Sequence, residues 1–324
     1  MKPVSSGTTL ADSKLHGRIK LLVVCGPTAS GKSELALRLA EKLDAEIINA
    51  DSMQVYQRLD IGTAKPSLEE RSVTPHHLID IISPDQQFSA ADFADAAHAV
   101  IRNIVDRGKR VVVVGGTGLY IRALLNGLVA SPGGSVEIRK ALHNDAIELG
   151  NDAMLERLKL VDPELSSELH PNNLVRIIRA LEVYQLTGIP LSRHKREHAF
   201  ADTPYEVRKI AIAVDRAVLY KRIEERVDRM LKDGLVDEVR ELLGTGFCRD
   251  LKALRSIGYK EVVAHLYGEA AYEEACRLIK RNTRHYAKRQ LTWFKADQDI
   301  LWFEYPEKFG SILNNVIDFF EQGG

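Results

Sequence analysis

Gly26-Pro27-Thr28-Ala29-Ser30-Gly31-Lys32-Ser33 lies between an apolar run, Ile19 to Cys25, and a segment of helical periodicity that starts at Glu34. The match to G-x-x-x-x-G-K-[ST] is complete and sits in the strand-turn-helix context in which such a loop works. A buried parallel strand delivers the chain into a turn. The backbone N–H groups of that turn, with the dipole of the following helix, surround a phosphate. The reading therefore gives the phosphate to residues 26–33, with Lys32 carrying charge to the outer phosphates and the Ser33 hydroxyl facing Mg²⁺. ATP is the default occupant, but the motif reads phosphates and not what hangs from them. The fold class that follows is α/β, a P-loop NTPase-like parallel sheet flanked by helices.

Working outward, Leu35, Leu39 and Leu43 with Ala36 and Ala40 form one helical stripe, and Ala45 to Ala50 reads as a second strand. Asp51 follows that strand directly. In an open parallel sheet the carboxyl ends of the strands share one rim, so Asp51 is expected to face the same crevice as the phosphate loop. Asp51-Ser52-Met53-Gln54-Val55-Tyr56 offers a carboxylate, a hydroxyl and an amide within one turn. Such a run either caps a helix or reads a base edge and positions a nucleophile, and its place on the rim favours the second. Arg110 to Val114 is a further strand, ending in Gly115-Gly116-Thr117-Gly118-Leu119-Tyr120. No acid follows Val114, unlike NTPases that hold the magnesium water shell there. The glycines suit close approach to a ligand, and Thr117 adds a hydroxyl to the rim.

Elsewhere, Ser89-Ala90-Ala91-Asp92 has capping-box spacing and opens a helix running to about Arg107. The paired His76 and His77 have no third ligand at useful spacing, so ordinary polar contacts are expected rather than a metal. From about Pro132 to Pro204 the strand–helix alternation stops, and four helical stretches mark an inserted all-helical domain over 133–204. It carries Arg176 and Arg179 on one face and the basic run Arg193 to Arg196. Lys209 to Val214 returns to strand character. The amphipathic Leu219 to Leu231 then carries Arg222 and Arg226 at i and i+4, from where an arginine can reach the phosphates. Finally, Cys276 to Lys295 contains seven lysines and arginines and no acid. On a helix, Arg277, Lys280, Arg281, Arg284, Lys288 and Lys295 fall on one side and Ile279, Tyr286 and Trp293 on the other. A cationic face of this kind suits a nucleic-acid backbone.

The chain has 324 residues, 45% apolar and 28% charged, which is ordinary for a globular enzyme. Lysine plus arginine equals aspartate plus glutamate at 45 each, so net charge neither favours nor excludes nucleic acid. Three scattered cysteines argue against a zinc site or a disulfide framework and fit a reducing cytoplasm. Residues 1–17 read as a disordered tail without the apolar centre of a signal peptide, and no run reaches the roughly 18 apolar residues that span a membrane. The expected organisation is a catalytic core over 18–132 and 205–324, interrupted by the 133–204 insert.

Together these blocks resemble the tRNA dimethylallyltransferase (isopentenyl-tRNA transferase, IPP transferase) family, from Val24 to Lys295. The resemblance rests on the phosphate loop, Asp51 to Tyr56, Asp60-Ile61-Gly62-Thr63-Ala64-Lys65-Pro66, Gly115 to Tyr120, Arg176 to Tyr184, Ile257-Gly258-Tyr259-Lys260-Glu261 and Thr283 to Gln290. Asn173 and Arg255 depart from the family pattern, both expected to lie outside the chemistry. The resemblance implies transfer of a dimethylallyl group from dimethylallyl diphosphate to N6 of the adenine 3′ to a tRNA anticodon, with Mg²⁺, by a monomer. It implies Asp51 as base, Lys32, Thr28 and Arg222 on the diphosphate, and Ser52, Met53 and Gln54 at the adenine. It implies Thr117 and Arg139 along the approach, and Val175, Arg176, Ile177, Ile178, Arg179, Arg281, Arg284 and Lys288 on the anticodon stem-loop. A small-molecule or nucleotide kinase shares the phosphate loop and the Asp51 base but leaves the acid-free basic segment unexplained.

Overall fold

The computed structural model describes residues 18–128, 134–197 and 205–322. The expected tail over 1–17, and residues 132, 133 and 204 at the expected domain junctions, lie outside the described residues. Six strands form one sheet: β1 (Ile19–Cys25), β2 (Ala45–Asn49), β3 (His76–His77), β4 (Arg110–Gly115), β5 (Tyr205–Ile212) and β6 (Ile300–Phe303). Their order is β3-β2-β4-β1-β5-β6, and every pairing is parallel.

The central position of β1 follows from its composition. Leu21 to Cys25 are all buried, as a strand covered on both faces requires. Alternate residues then serve opposite faces. Leu21, Val23 and Cys25 join Val111 and Val113 in a layer completed by α3 (Ala90–Asp106) and α4 (Gly118–Asn126), through Phe93, Ala97, Ile101 and Leu124. Leu22 and Val24 join Val112 and Val114 on the other face, under α1 (Lys32–Leu43) and α13 (Phe309–Glu321), through Leu35, Leu39, Ile312 and Val316. Between α1 and α3 lies the short α2 (Leu68–Val73), started by a Ser67/Glu70 capping box. The Ser89/Asp92 capping box starts α3 as its spacing predicts.

β5 begins at Tyr205, four residues before the expected Lys209, because it pairs along all of β1 from Ile19↔Tyr205 onward. Glu206 and Arg208 on its less buried side mask the apolar pattern. β6 carries no expectation from sequence; it is a four-residue edge strand.

Asn126–Thr203 forms a compact unit of its own, separate from Met1–Leu125 with Pro204–Gly324. It holds α5 (Val136–Val161), α6 (Pro163–Ser167), α7 (Leu174–Thr187) and α8 (Leu191–Glu197). Gly150, at φ 84° and ψ 164°, breaks α5 into two helices, where the sequence separates Leu149 from Asp152. Leu142, Met154, Leu158, Ile177 and Leu181 make its core. In the larger unit α9 (Arg216–Lys232), α10 (Leu235–Gly244), α11 (Tyr259–Leu266) and α12 (Tyr272–Lys295) complete the fold. Val227, Leu235, Val239, Tyr259 and Ile279 of these helices pack on Val55, Tyr56 and Leu59. Because all strands run the same way, the phosphate loop, Asp51 and Gly116-Thr117 leave the sheet along one rim.

Candidate active site

At that rim the phosphate loop wraps from Gly26 (φ 139°) through Ala29, a non-glycine residue at φ 61°, to Gly31 at φ 96°, which leads into α1. No side chain caps α1, so its first-turn N–H groups stay available for an anion. The Lys32 ammonium donates to Pro27 O at 3.2 Å. Burial, and then the charge of Arg226, bring its pKa down to about 8, with Asp51 opposing. The Ser30 hydroxyl is buried without a hydrogen-bond partner. Bare amides, an idle hydroxyl and a desolvated cation together form a cradle that an anion completes.

Asp51 Oδ1 accepts the Met53 N–H at 2.9 Å, and the Ser52 N–H donates to Thr117 Oγ1 at 3.0 Å. The Thr117 N–H in turn donates to Ala50 O at 3.2 Å. A Cβ on Gly115 would stand 2.1 Å from Ala50 O, so the ends of β2 and β4 close together only because residue 115 lacks one. Thr28, Asp51, Ser52 and Met53 line a cavity of about 330 Å³ with Thr63, Arg226, Tyr259, Thr283, Tyr286 and Arg289. Burial and then Asp51 push the Tyr286 hydroxyl, which lies by Thr117 and Gln290, up to about 12. The rim thus sets Thr28 of the phosphate loop and the Asp51 carboxylate on one chamber, with Asp51 acting on the Lys32 charge.

Several residues stand differently from expectation. Arg226, rather than Arg222, lines the chamber, and it donates to Thr63 O at 3.3 Å. Arg222 is exposed, one turn earlier on α9. Its neighbours Leu219 and Ile223 pack with Ala29, so that turn runs beside the phosphate loop. The Gln54 amide donates to Thr63 O at 2.9 Å and to Ala64 O at 3.2 Å, and Gln54 is absent from the cavity wall. Arg255, expected outside the chemistry, lines the cavity together with Ser256, Ile257 and Gly258. Asn173 precedes α7 without a side-chain cap.

In the smaller unit Ile177 and Ile178 are buried in the core, so neither presents a surface to RNA; Val175 and Arg176 are exposed. Arg139 and Arg179 both pair with the buried Glu182 carboxylate, at 2.8 Å and 2.6 Å. On α12 the cationic stripe exists, but α9 partly neutralises it. Lys280 pairs with Asp228 at 2.6 Å and Arg284 with Glu224, whereas Arg281 and Lys288 are exposed. The acids missing from Cys276 to Lys295 arrive from α9 and, for Arg277, from Glu274 in the first turn of α12 itself, at 2.6 Å.

Two contributors escape the sequence reading of roles, Arg255 and Gln290, whereas Arg226 is one of the two arginines that the sequence brings within reach of the phosphates. Gln290 carried one signal, an amide at i+4 from Tyr286 and i−3 from Trp293, on the packed side of a helix. As for the histidines, His77 contacts Glu46 at 2.7 Å and His76 the Thr74 carbonyl at 2.7 Å.

A family model described as IPP transferase matches residues 54–297. The chain belongs to the IPP transferase family. Among similar members, a tRNA dimethylallyltransferase 1 of Pelobacter propionicus is 63% identical over 93% of this chain and 98% of its own length. The tRNA dimethylallyltransferase of Geobacter metallireducens is 58% identical over 95% and 99%. The crystal structure of a full-length tRNA isopentenylpyrophosphate transferase from Bacillus halodurans superposes with a TM-score of 0.70 at 40% identity, covering 94% of this chain and 97% of that one. A eukaryotic dimethylallyltransferase acting on tRNA gives a TM-score of 0.76 at 28% identity, over 93% of this chain and 78% of that one. The family match begins after the phosphate loop and Asp51, but these relatives extend over more than nine-tenths of this IPP transferase family member.

Proposed function

We propose that the chain transfers a dimethylallyl group from dimethylallyl diphosphate to N6 of the adenine 3′-adjacent to a tRNA anticodon, releasing diphosphate. One observation carries the reading: Thr28 of the phosphate loop and Asp51 line one chamber, with Asp51 close enough to act on the Lys32 charge, in a chain whose β4 lacks the acid of NTP-hydrolysing relatives of this fold. The adenine nitrogen attacks the allylic carbon, the carbon–oxygen bond breaks, and its electrons leave with the diphosphate. Asp51 takes the proton released from N6. Lys32, Thr28 and the α1 amides face the negative charge that grows on the leaving oxygens, with Arg226 and Arg222 beside them.

Mg²⁺ fits this rim as a companion of the diphosphate. Among the described residues no group of three or more His, Cys, Asp or Glu could hold a metal ion, so the Ser33 hydroxyl would share the ion with phosphate oxygens and water. When bound, the ion adds to neutralisation of the leaving group. The adenine leaves its stack to reach the chamber, where Ser52 and Met53 line its path. Gln54 is held by Thr63 and Ala64 through its amide nitrogen and stands off the cavity wall, so no adenine contact is assigned to it. Arg281 and Lys288 on one unit, and Val175 and Arg176 on the other, are the exposed candidates for RNA contact. No helix among the described residues is long and apolar enough to cross a membrane.

The kinase alternative is not favoured, because similar chains across nearly this whole length carry the dimethylallyltransferase name. Unmodified tRNA incubated with labelled dimethylallyl diphosphate, in parallel with γ-labelled ATP, tests the proposal. Label is expected in tRNA from the prenyl donor alone. Label reaching RNA or a free nucleotide only from ATP would sink it.

A further inference from the structure

Gln290 is a buried amide in the middle of an otherwise cationic helix, and the transfer scheme leaves it without a task. Its Oε1 accepts the Thr28 N–H at 2.9 Å, and its Nε2 donates to Gly116 O at 2.9 Å. One planar group thus spans the phosphate loop and the loop after β4. The surrounding residues are shaped for it. A Cβ on Gly116 would lie 2.3 Å from Gln290 Nε2, and a Cβ on Gly118 would lie 2.1 Å from Trp293 Nε1. Tyr286, Gln290 and Trp293, at i, i+4 and i+7, therefore dock in sequence on Thr117, Gly116 and Gly118. The two glycines read in the sequence as room for a ligand are room for α12.

We infer that Gln290 is a positioning residue for diphosphate binding and transfer, acting through Thr28. Thr28 is held by its backbone N–H, which points at Gln290 rather than at the cradle, and Thr28 lines the cavity together with Asp51. An amide suits both contacts because it accepts on one side and donates on the other. A carboxylate accepts on both sides and opposes Gly116 O, whereas a carboxylic acid restores the amide pattern. The inference rests on the proposed function for its turnover arm only.

The test uses Gln290→Met, which keeps the volume and removes both bonds, and Gln290→Glu, which keeps the shape. Binding of inorganic pyrophosphate with Mg²⁺ is measured calorimetrically, tRNA affinity by filter binding, and turnover with labelled donor. Q290M is expected to weaken pyrophosphate at least about tenfold, with tRNA affinity within threefold of the parent. Q290E is expected to be equally impaired at pH 8 and to recover at least threefold relative to the parent at pH 6. Taking the ratio to the parent at each pH removes the titrations shared by both proteins, those of Lys32, Asp51, Arg226 and Tyr286 around the clip and of pyrophosphate itself. Should Q290M fail to fold, Gly116→Ala, which displaces the amide from the opposite side, is expected to give the same pyrophosphate loss. Unchanged pyrophosphate affinity in the folded variants, equal loss of tRNA and pyrophosphate binding, or a flat Q290E ratio would each overturn the assignment. A parent protein that binds pyrophosphate but moves no label to tRNA would instead refute the proposed function and leave the Gln290 arm standing.

Discussion

Asp51 answers two demands with its two oxygens. Oδ1 is fixed by the Met53 N–H, which orients the carboxylate, and Asp51 lines the chamber with Oδ2 left for a proton. A base held this way contributes through rate, so Asp51→Ala is expected to lower turnover by about 10² or more while tRNA affinity stays within a few-fold. Single-turnover assays with parallel filter binding separate the two, and normal turnover would remove Asp51 from the role. Lys32 makes a different statement. Burial brings its pKa down to about 8, and a bound anion favours its charged form. Below that pH the free protein already carries the charge; above it, binding must take up a proton. Pyrophosphate affinity is therefore expected to fall about tenfold per pH unit above about 8, in addition to any trend from the ligand itself. Lys32→Arg, which stays charged, should show only the ligand's trend, and identical profiles for the two proteins would contradict the assignment. The places of Lys32 and Asp51 on the rim were legible in the sequence because local spacing and strand ends set them. The choice of Arg226 over Arg222, and Gln290 altogether, were not, since both depend on which turn of a helix meets a loop 160 or more residues away.

At the scale of elements, α12 shows why charge counting along one segment misleads. The sequence has no acid from Cys276 to Lys295, yet Glu224 and Asp228 of α9 meet Arg284 and Lys280. Half-exposed pairs of this kind add little stability, but they remove cations from the count available to phosphate. Arg281 and Lys288 remain outward, as do Arg289 and Lys295, so the salt dependence of tRNA binding should be carried more by these than by the paired Lys280 and Arg284. Replacing Arg281 and Lys288 with alanine is expected to lower the slope of log K against log salt by roughly 1 to 2. Replacing Lys280 and Arg284 is expected to change it by less. Equal effects from the two double variants would return the stripe to an undifferentiated solvated face. The helix itself, its packed side and its cationic side were readable from periodicity. The identity of its partner helix was not, because nothing in a stripe of lysines and arginines says what packs beside it.

For the whole molecule the organising fact is a parallel sheet that gathers its loops on one rim, with a separate unit inserted between β4–α4 and β5. The order of strand-like and helix-like runs gave both parts, because a continuous apolar strand and an amphipathic helix leave different periods in sequence. It misassigned the insert's conspicuous residues, since Ile177 and Ile178 sit on the same helix as the exposed Val175 and Arg176 and only packing tells them apart. The same packing explains Arg139 and Arg179. Glu182 has no exposure, its two oxygens face these arginines, and Oε1 also accepts the Ser135 N–H at 2.9 Å. Removing that carboxylate takes a shared counter-charge from two partly exposed guanidinium groups and leaves the Ser135 N–H without its acceptor, at a cost on the order of 1 to 2 kcal/mol. Since Asn126–Thr203 packs as its own unit around Leu142, Met154, Leu158 and Leu181, the loss should stay within it. Glu182→Ala is therefore expected to raise hydrogen exchange across α5 and α7 while pyrophosphate binding at the phosphate loop stays within about twofold of the parent. Restoring the apolar volume with Glu182→Leu would not repair the exchange, because the Ser135 N–H would still lack its acceptor. A variant in which exchange rises equally in β1 and β4 would show that the two units unfold as one, and that the insert's ion cluster stabilises the catalytic sheet as well.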